Sequence, residues 1–170
     1  MRFYRTFLII CISLVLTFIL YNSTRTATQS SRISQGVSDV IVETVVPEYS
    51  QMDKTEQEQI SQKTHKSIRN IAHAVEFAGL AFFLALLLYT YKFNYGRYLI
   101  AMAITLFACF VFALLDEMLQ GAFKGRGTDI VDVGMDMLGV AVALICAVIV
   151  DKIGLKIFVR PKENQWIYGE

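Results

Sequence analysis

The sequence predicts an all-α integral membrane protein with four transmembrane helices and a long extracytoplasmic loop between the first and second. Three observations predict it. The 170-residue chain is 55% hydrophobic and only 18% charged. A soluble domain usually carries about 45–50% apolar and about 25% charged residues. Its apolar residues are gathered into four runs separated by polar stretches. Mean hydropathy is +0.47.

The first run is Thr6 to Tyr21, preceded by Arg2 and Arg5. It is slightly short for a span, which needs about 20 apolar residues, and it gains from Phe3 and Tyr4. A cleavable signal peptide would have a shorter apolar core and a small-residue cleavage site. The sequence NSTRTATQ follows instead, so residues 1–21 are read as an uncleaved anchor.

Residues 22–67 are read as the extracytoplasmic loop, with two amphipathic helices. The start, NSTRTATQSSRISQG, is polar and linker-like. Ile33, Val37, Val40, Ile41 and Val45 then share one helical face, which ends at Pro47. A second helix opens at Thr55 and Glu58, in capping-box spacing, and runs toward the second span. Both are expected to lie on the outer leaflet or over the bundle, and a lid or partner surface is the functional alternative.

Residues 68–150 form the expected three-helix membrane core, and 151–170 a cytoplasmic tail. The core spans are Ile71 to Tyr91, Tyr98 to Leu115 and Val133 to Val150. Basic residues set the orientation. Arg2 and Arg5, Lys92 and Arg97, and Lys152, Lys156, Arg160 and Lys162 all fall on one side of an even number of spans. That side is expected to be the cytoplasm, which places both termini there.

Polar residues within these spans are the candidate site. Arg69, His73 and Glu76 share a face of the second span. Asp116, Glu117 and Gln120 close the third. Asp129, Asp132 and Asp136 open the fourth on one face, where the helix N-terminus favours carboxylates. The topology brings all of them to the outward end. An ionisable group at the centre of a span costs at least about 2.5–3.5 kcal/mol, so each needs a partner or a purpose. In the KGRGTD turn, Gly121, Gly125 and Gly127 allow tight bending, and Arg126 can grip a carboxylate or an anionic ligand through two parallel hydrogen bonds. Gly139 and Gly79 suggest close helix approach.

Other classes are excluded or weakened. A net charge of +1 with no basic stripe gives no footprint for nucleic acid. Cys11, Cys109 and Cys146 sit in apolar runs, which suits packing and not a disulfide framework or a zinc site. No cofactor is expected. The expected partners are the lipid bilayer and a cell-wall precursor, an anionic envelope component or another membrane protein.

Taken together, R-x-x-x-H-x-x-E-F, D-E-x-x-Q, G-R-G-T-D-x-x-D and a small-residue helix with L-G resemble the VanZ-like family, from about Ile68 to Val150. The positions that carry the resemblance are Arg69, His73, Glu76, Glu117, Gln120, Arg126, Asp129, Asp132 and Gly139. Asp136 departs from it, since the family typically shows Asn there, and Asn70 replaces a common basic residue. The resemblance implies a multi-pass protein of the bacterial plasma membrane, in a family named for resistance to the glycopeptide teicoplanin. A member need not confer resistance.

Three functions compete. The first is a non-enzymatic envelope protein whose outward polar cluster engages an envelope component. The second is a membrane enzyme acting on a lipid-linked substrate, with His73 as base, Glu76 orienting it and Glu117, Asp132 and Asp136 offering oxygens to a divalent cation. It lacks a Ser or Cys nucleophile motif and an HExxH. The third is a proton or ion path, which the absence of deeper ionisable groups argues against. The plain structural alternative is that the cluster only locks the helix ends together.

Overall fold

The computed structural model describes residues 2–24, 42, 44, 49, 52–91, 96–122 and 130–153. Four long helices carry it: α1 (Arg2–Ser23), α2 (Lys54–Tyr89), α3 (Arg97–Ala122) and α4 (Ile130–Ile153). No strand occurs among the described residues. All four helices are long and apolar enough to cross a membrane, with α4 the most buried in the bundle and α1 the least. The all-helical fold with four transmembrane helices therefore holds.

The helices run up and down. Arg5 at the start of α1 donates to Thr90 at the end of α2, through Nε to Oγ1 (2.9 Å) and Nη2 to the carbonyl (2.7 Å). Arg97 at the start of α3 pairs with Asp151 at the end of α4 (2.7 Å). Hence the start of α1 and the end of α4 share one end of the bundle. Gly96 turns the chain into α3 with φ 65°, a left-handed conformation that a side chain would disfavour.

The core is small-residue packing around a few large side chains. Phe77, Leu80 and Ala81 of α2 meet Val140, Leu144 and Ala147 of α4, with Cys109 and Ala113 from α3 and Leu8 from α1. Thr105 is buried at mid-span, where its hydroxyl donates to the Ala101 carbonyl one turn back (2.8 Å). Outward faces stay apolar, as at Phe18, Phe107, Leu138 and Ile145, which suits lipid. Of the three cysteines, none is in a disulfide and Cys109 alone is buried.

Two expectations about the loop change. The second amphipathic helix is not separate from the second span: α2 runs unbroken for 36 residues, about 54 Å, through the expected boundary at residue 67. Its cap is Asp53, not Thr55: the Asp53 side chain accepts from Lys54 N–H (2.9 Å) and its carbonyl from Gln57 N–H (2.9 Å). The first amphipathic helix lies largely outside the described residues, as does the tail from residue 154. Gly79 also differs from expectation, because a Cβ there would make only ordinary contact with Val15.

Candidate functional site

The site grows from the ends of all four helices. α2 and α4 form its floor. They cross so closely that a Cβ on Gly139 would run into the Ala74 backbone carbonyl. Ala74 follows His73, and Gly139 lies one turn beyond Asp136. The expected small-residue contact at Gly139 thus sets the spacing between the two polar faces.

Three links are visible above this crossing. Arg69 Nη2 donates to Asp132 Oδ2 at 3.1 Å, joining α2 to α4. With the Asn70 amide oriented to satisfy its neighbours, its nitrogen donates to Asp132 Oδ1 (3.2 Å) and to the Lys66 carbonyl (3.1 Å). Asn22 Nδ2 donates to Glu76 Oε1 (2.7 Å), joining α1 to α2. Ser23 Oγ lies within hydrogen-bond reach of both Asp116 Oδ1 and the Ile19 carbonyl, joining α1 to α3. Gln120 Nε2 donates to the other Asp116 oxygen at 2.5 Å.

The cluster is sheltered. His73, Asp116, Glu117, Gln120, Asp132 and Asp136 are all buried. Asp136 is 3% exposed, and its Oδ1 is closed off from solvent with no hydrogen-bond donor among the described residues. The carboxylates of Asp116, Asp132, Glu76 and Glu117 all act on it electrostatically. Arg69 Nε is likewise buried without a hydrogen-bond partner among the described residues. No three His, Cys, Asp or Glu side chains among the described residues converge tightly enough to hold a metal ion. Outward of the cluster, Gln59, Gln62, Lys63, Lys66, Ser67 and Asn70 line a polar groove along α2.

Eight of the ten expected site residues therefore sit at one end of the bundle: Arg69, His73, Glu76, Asp116, Glu117, Gln120, Asp132 and Asp136. Arg126 and Asp129 lie outside the described residues, as does Lys124. Sequence reasoning missed Asn22 and Ser23, which it read as the start of the loop. The signal was present: they end an apolar run at the level where the other polar groups collect.

It also missed a second polar layer at the opposite end. Tyr98 Oη donates to Asp151 Oδ2 (2.6 Å) and accepts from Arg97 Nη2 (2.8 Å), while the Tyr89 and Tyr98 rings meet edge to face at 4.9 Å. Arg97 Cζ and Lys152 Nζ lie 4.7 Å and 5.7 Å from the centre of the Tyr98 ring. Asp151, read from sequence as a flank of the tail, is buried.

With this arrangement in place, comparison with known proteins decides the family. The VanZ/LLP1 family model matches residues 7–151, most of the chain. The chain belongs to the VanZ/LLP1 family. Neither the curated proteins nor the solved structures yielded a match. The matched range runs from the first turns of α1 to Asp151 of α4. The VanZ/LLP1 region thus includes α1, with Asn22 and Ser23, and reaches both polar layers.

Proposed function

We propose that this VanZ/LLP1 protein is a non-enzymatic envelope protein of a bacterial plasma membrane, with both termini in the cytoplasm and its acidic end facing outward. The cluster engages a cell-wall precursor or another envelope component and lowers susceptibility to teicoplanin-type glycopeptides. One observation carries the reading: all four helices commit polar side chains to a single buried cluster. Ionisable groups at that depth are expensive, and a bundle meant only to hold together would use apolar contacts or small residues there. The polar groove on α2, with Lys63 and Lys66, ends at Asn70, whose amide donates to Asp132.

The sequence carries no Ser or Cys nucleophile motif and no HExxH, which supports binding over catalysis.

The test is expression in a susceptible bacterial host. Wild type is expected to raise the teicoplanin concentration needed for inhibition. Glu76→Gln, Glu117→Gln and Asp132→Asn, matched for membrane level, are expected to return it to that of empty-vector cells. Unchanged susceptibility with wild type removes the resistance reading. Retained resistance in all three variants removes the cluster from it.

A further inference from the structure

The polar cluster is shut inside the bundle. His73, Asp116, Glu117, Asp132 and Asp136 are buried, and Glu76 is half-buried. A ligand that engages them enters only where a helix moves aside. The four helices are not equally held. α2 and α3 each bury seven residues and α4 buries eight, whereas α1 buries three, Leu8, Ile19 and Ser23. α2 and α4 also cross with Gly139 against the Ala74 carbonyl and are tied by Arg69 to Asp132. The weakly held helix is therefore α1.

Its apolar contacts do little to keep it in place. Phe7, Ile10, Leu14 and Phe18 face outward, and Val15 makes only ordinary contact at Gly79 of α2. Lipid tails are as apolar as these side chains, so exchanging helix contacts for lipid contacts costs little. The polar contacts of α1 lie at its two ends. At its start, Arg5 donates twice to Thr90 and its Cζ lies 4.3 Å from the centre of the Tyr91 ring. At the cluster end, Asn22 donates to Glu76 of α2 and Ser23 to Asp116 of α3. Two adjacent residues of α1 thus bridge the seam between α2 and α3, and each covers a carboxylate.

We propose that the cluster end of α1 is a latch. Asn22 and Ser23 hold Glu76 and Asp116 until α1 swings about its Arg5 anchor and opens the cluster between α2 and α3. The latch rests on the envelope-binding reading for the ligand that enters. Asn22 and Ser23 present an amide N–H and a hydroxyl to carboxylate oxygens, so the incoming group replaces them with N–H or O–H donors of its own. Gln120 keeps the other Asp116 oxygen satisfied from within α3, so opening uncovers only the Ser23 side of that carboxylate. The two bonds share one helix end and therefore break together. Losing either one loosens the hold on both carboxylates.

The experiment labels carboxyl groups of the full chain in detergent with a water-soluble carbodiimide and glycinamide, and peptide mass spectrometry reads the rate at each site. In Asn22→Ala, Asp116 is expected to label on the order of tenfold faster than in wild type, the scale of one charge-assisted hydrogen bond, although Asn22 bonds the other carboxylate. In Ser23→Ala, Glu76 is expected to respond in the same way. Asp151, buried at the opposite end, is expected to keep its wild-type rate. A rise confined to the carboxylate whose own bond was removed overturns the latch. So does an equal rise at Asp151, which would mark a general loosening of the bundle. A second arm stands even if these variants fail to fold. Val15→Cys with Gly79→Cys, in a chain whose own three cysteines are replaced, faces two thiols across the α1–α2 contact, where a Cβ at Gly79 would lie 3.9 Å from Val15 Cγ2. The oxidised form is expected to label Glu76 and Asp116 several-fold more slowly than the same protein after reduction, and equal rates overturn the proposal. No arm uses a glycopeptide. Absent protection by wild type would sink the resistance reading and leave the latch standing, whereas a failed labelling test would sink the latch alone.

Discussion

Asp132 shows how much a single carboxylate is asked to do at the polar end. It accepts from Arg69 on one oxygen and from Asn70 on the other, so it fastens α4 to two consecutive residues of α2. Its side chain is 7% exposed and that of Arg69 32%, which places the pair between a surface bridge and a fully buried one. Replacing either partner by Ala is expected to cost about 1–3 kcal/mol, since the survivor is left without its main counterpart. Solvent reaching Arg69 holds the figure below that of a fully buried pair. The two changes share one contact, so Arg69→Ala with Asp132→Ala should cost less than the sum of the singles by about 1 kcal/mol. Reversible unfolding in detergent measures the cycle, and additive singles would show that the bridge contributes nothing. The sequence made the face of α2 legible, because Arg69, His73 and Glu76 recur at helical spacing. It did not make the partners of Glu76 and Asp116 legible. Asn22 and Ser23 are small, neutral and followed by a polar stretch, so one-dimensional reading assigns them to water.

Hydropathy located the four helices because it reports which segments face lipid. It misplaced the start of α2 because a backbone hydrogen-bond ladder continues wherever propensity allows, regardless of polarity. Lys54 to Asn70 is rich in Lys, Glu and Gln, all good helix formers, and no Gly or Pro interrupts it. The cap was nonetheless readable: Asp53 and Glu56 have the same three-residue spacing as Thr55 and Glu58, two residues earlier, and Asp is the stronger cap. Packing between α2 and α4 divides the two glycines that looked alike in sequence. Gly139 touches the Ala74 carbonyl, which is backbone and cannot rotate away, whereas Gly79 faces the tips of Val15 at 3.9 Å. Gly139→Ala should therefore cost about 1–3 kcal/mol through overpacking and push the polar faces apart. Gly79→Ala should be neutral or slightly stabilising, since Ala has the better helix propensity. Melting temperatures of the two variants in one detergent check this, and equal shifts would mean that the close crossing does not constrain the bundle.

Across the whole molecule, the two polar layers bracket a dry slab of bilayer dimensions. Arg97 and Asp116 on α3, and Asp132 and Asp151 on α4, are each about 28 Å apart along their helices, close to the ~30 Å hydrocarbon thickness. Between the layers the buried side chains are apolar apart from Thr105, which is satisfied within its own helix. The layers differ in sign and chemistry. One is acid-rich and sheltered. The other carries Arg5, Arg97 and Lys152 against tyrosine rings, the mix of cations and aromatics found at membrane interfaces. In the orientation we propose, the positive-inside rule puts the cationic layer in the cytoplasm. A Cys-free background, with Cys11, Cys109 and Cys146 replaced, makes this measurable. A cysteine at Lys63, exposed on the outer part of α2, should react with a membrane-impermeant maleimide in intact cells. One at Lys152 should react only after permeabilisation. The reverse pattern would place the acidic cluster on the cytoplasmic side, away from the wall on which glycopeptides act. The orientation and the envelope-binding reading would then fall together, while the fold and both polar layers would stand.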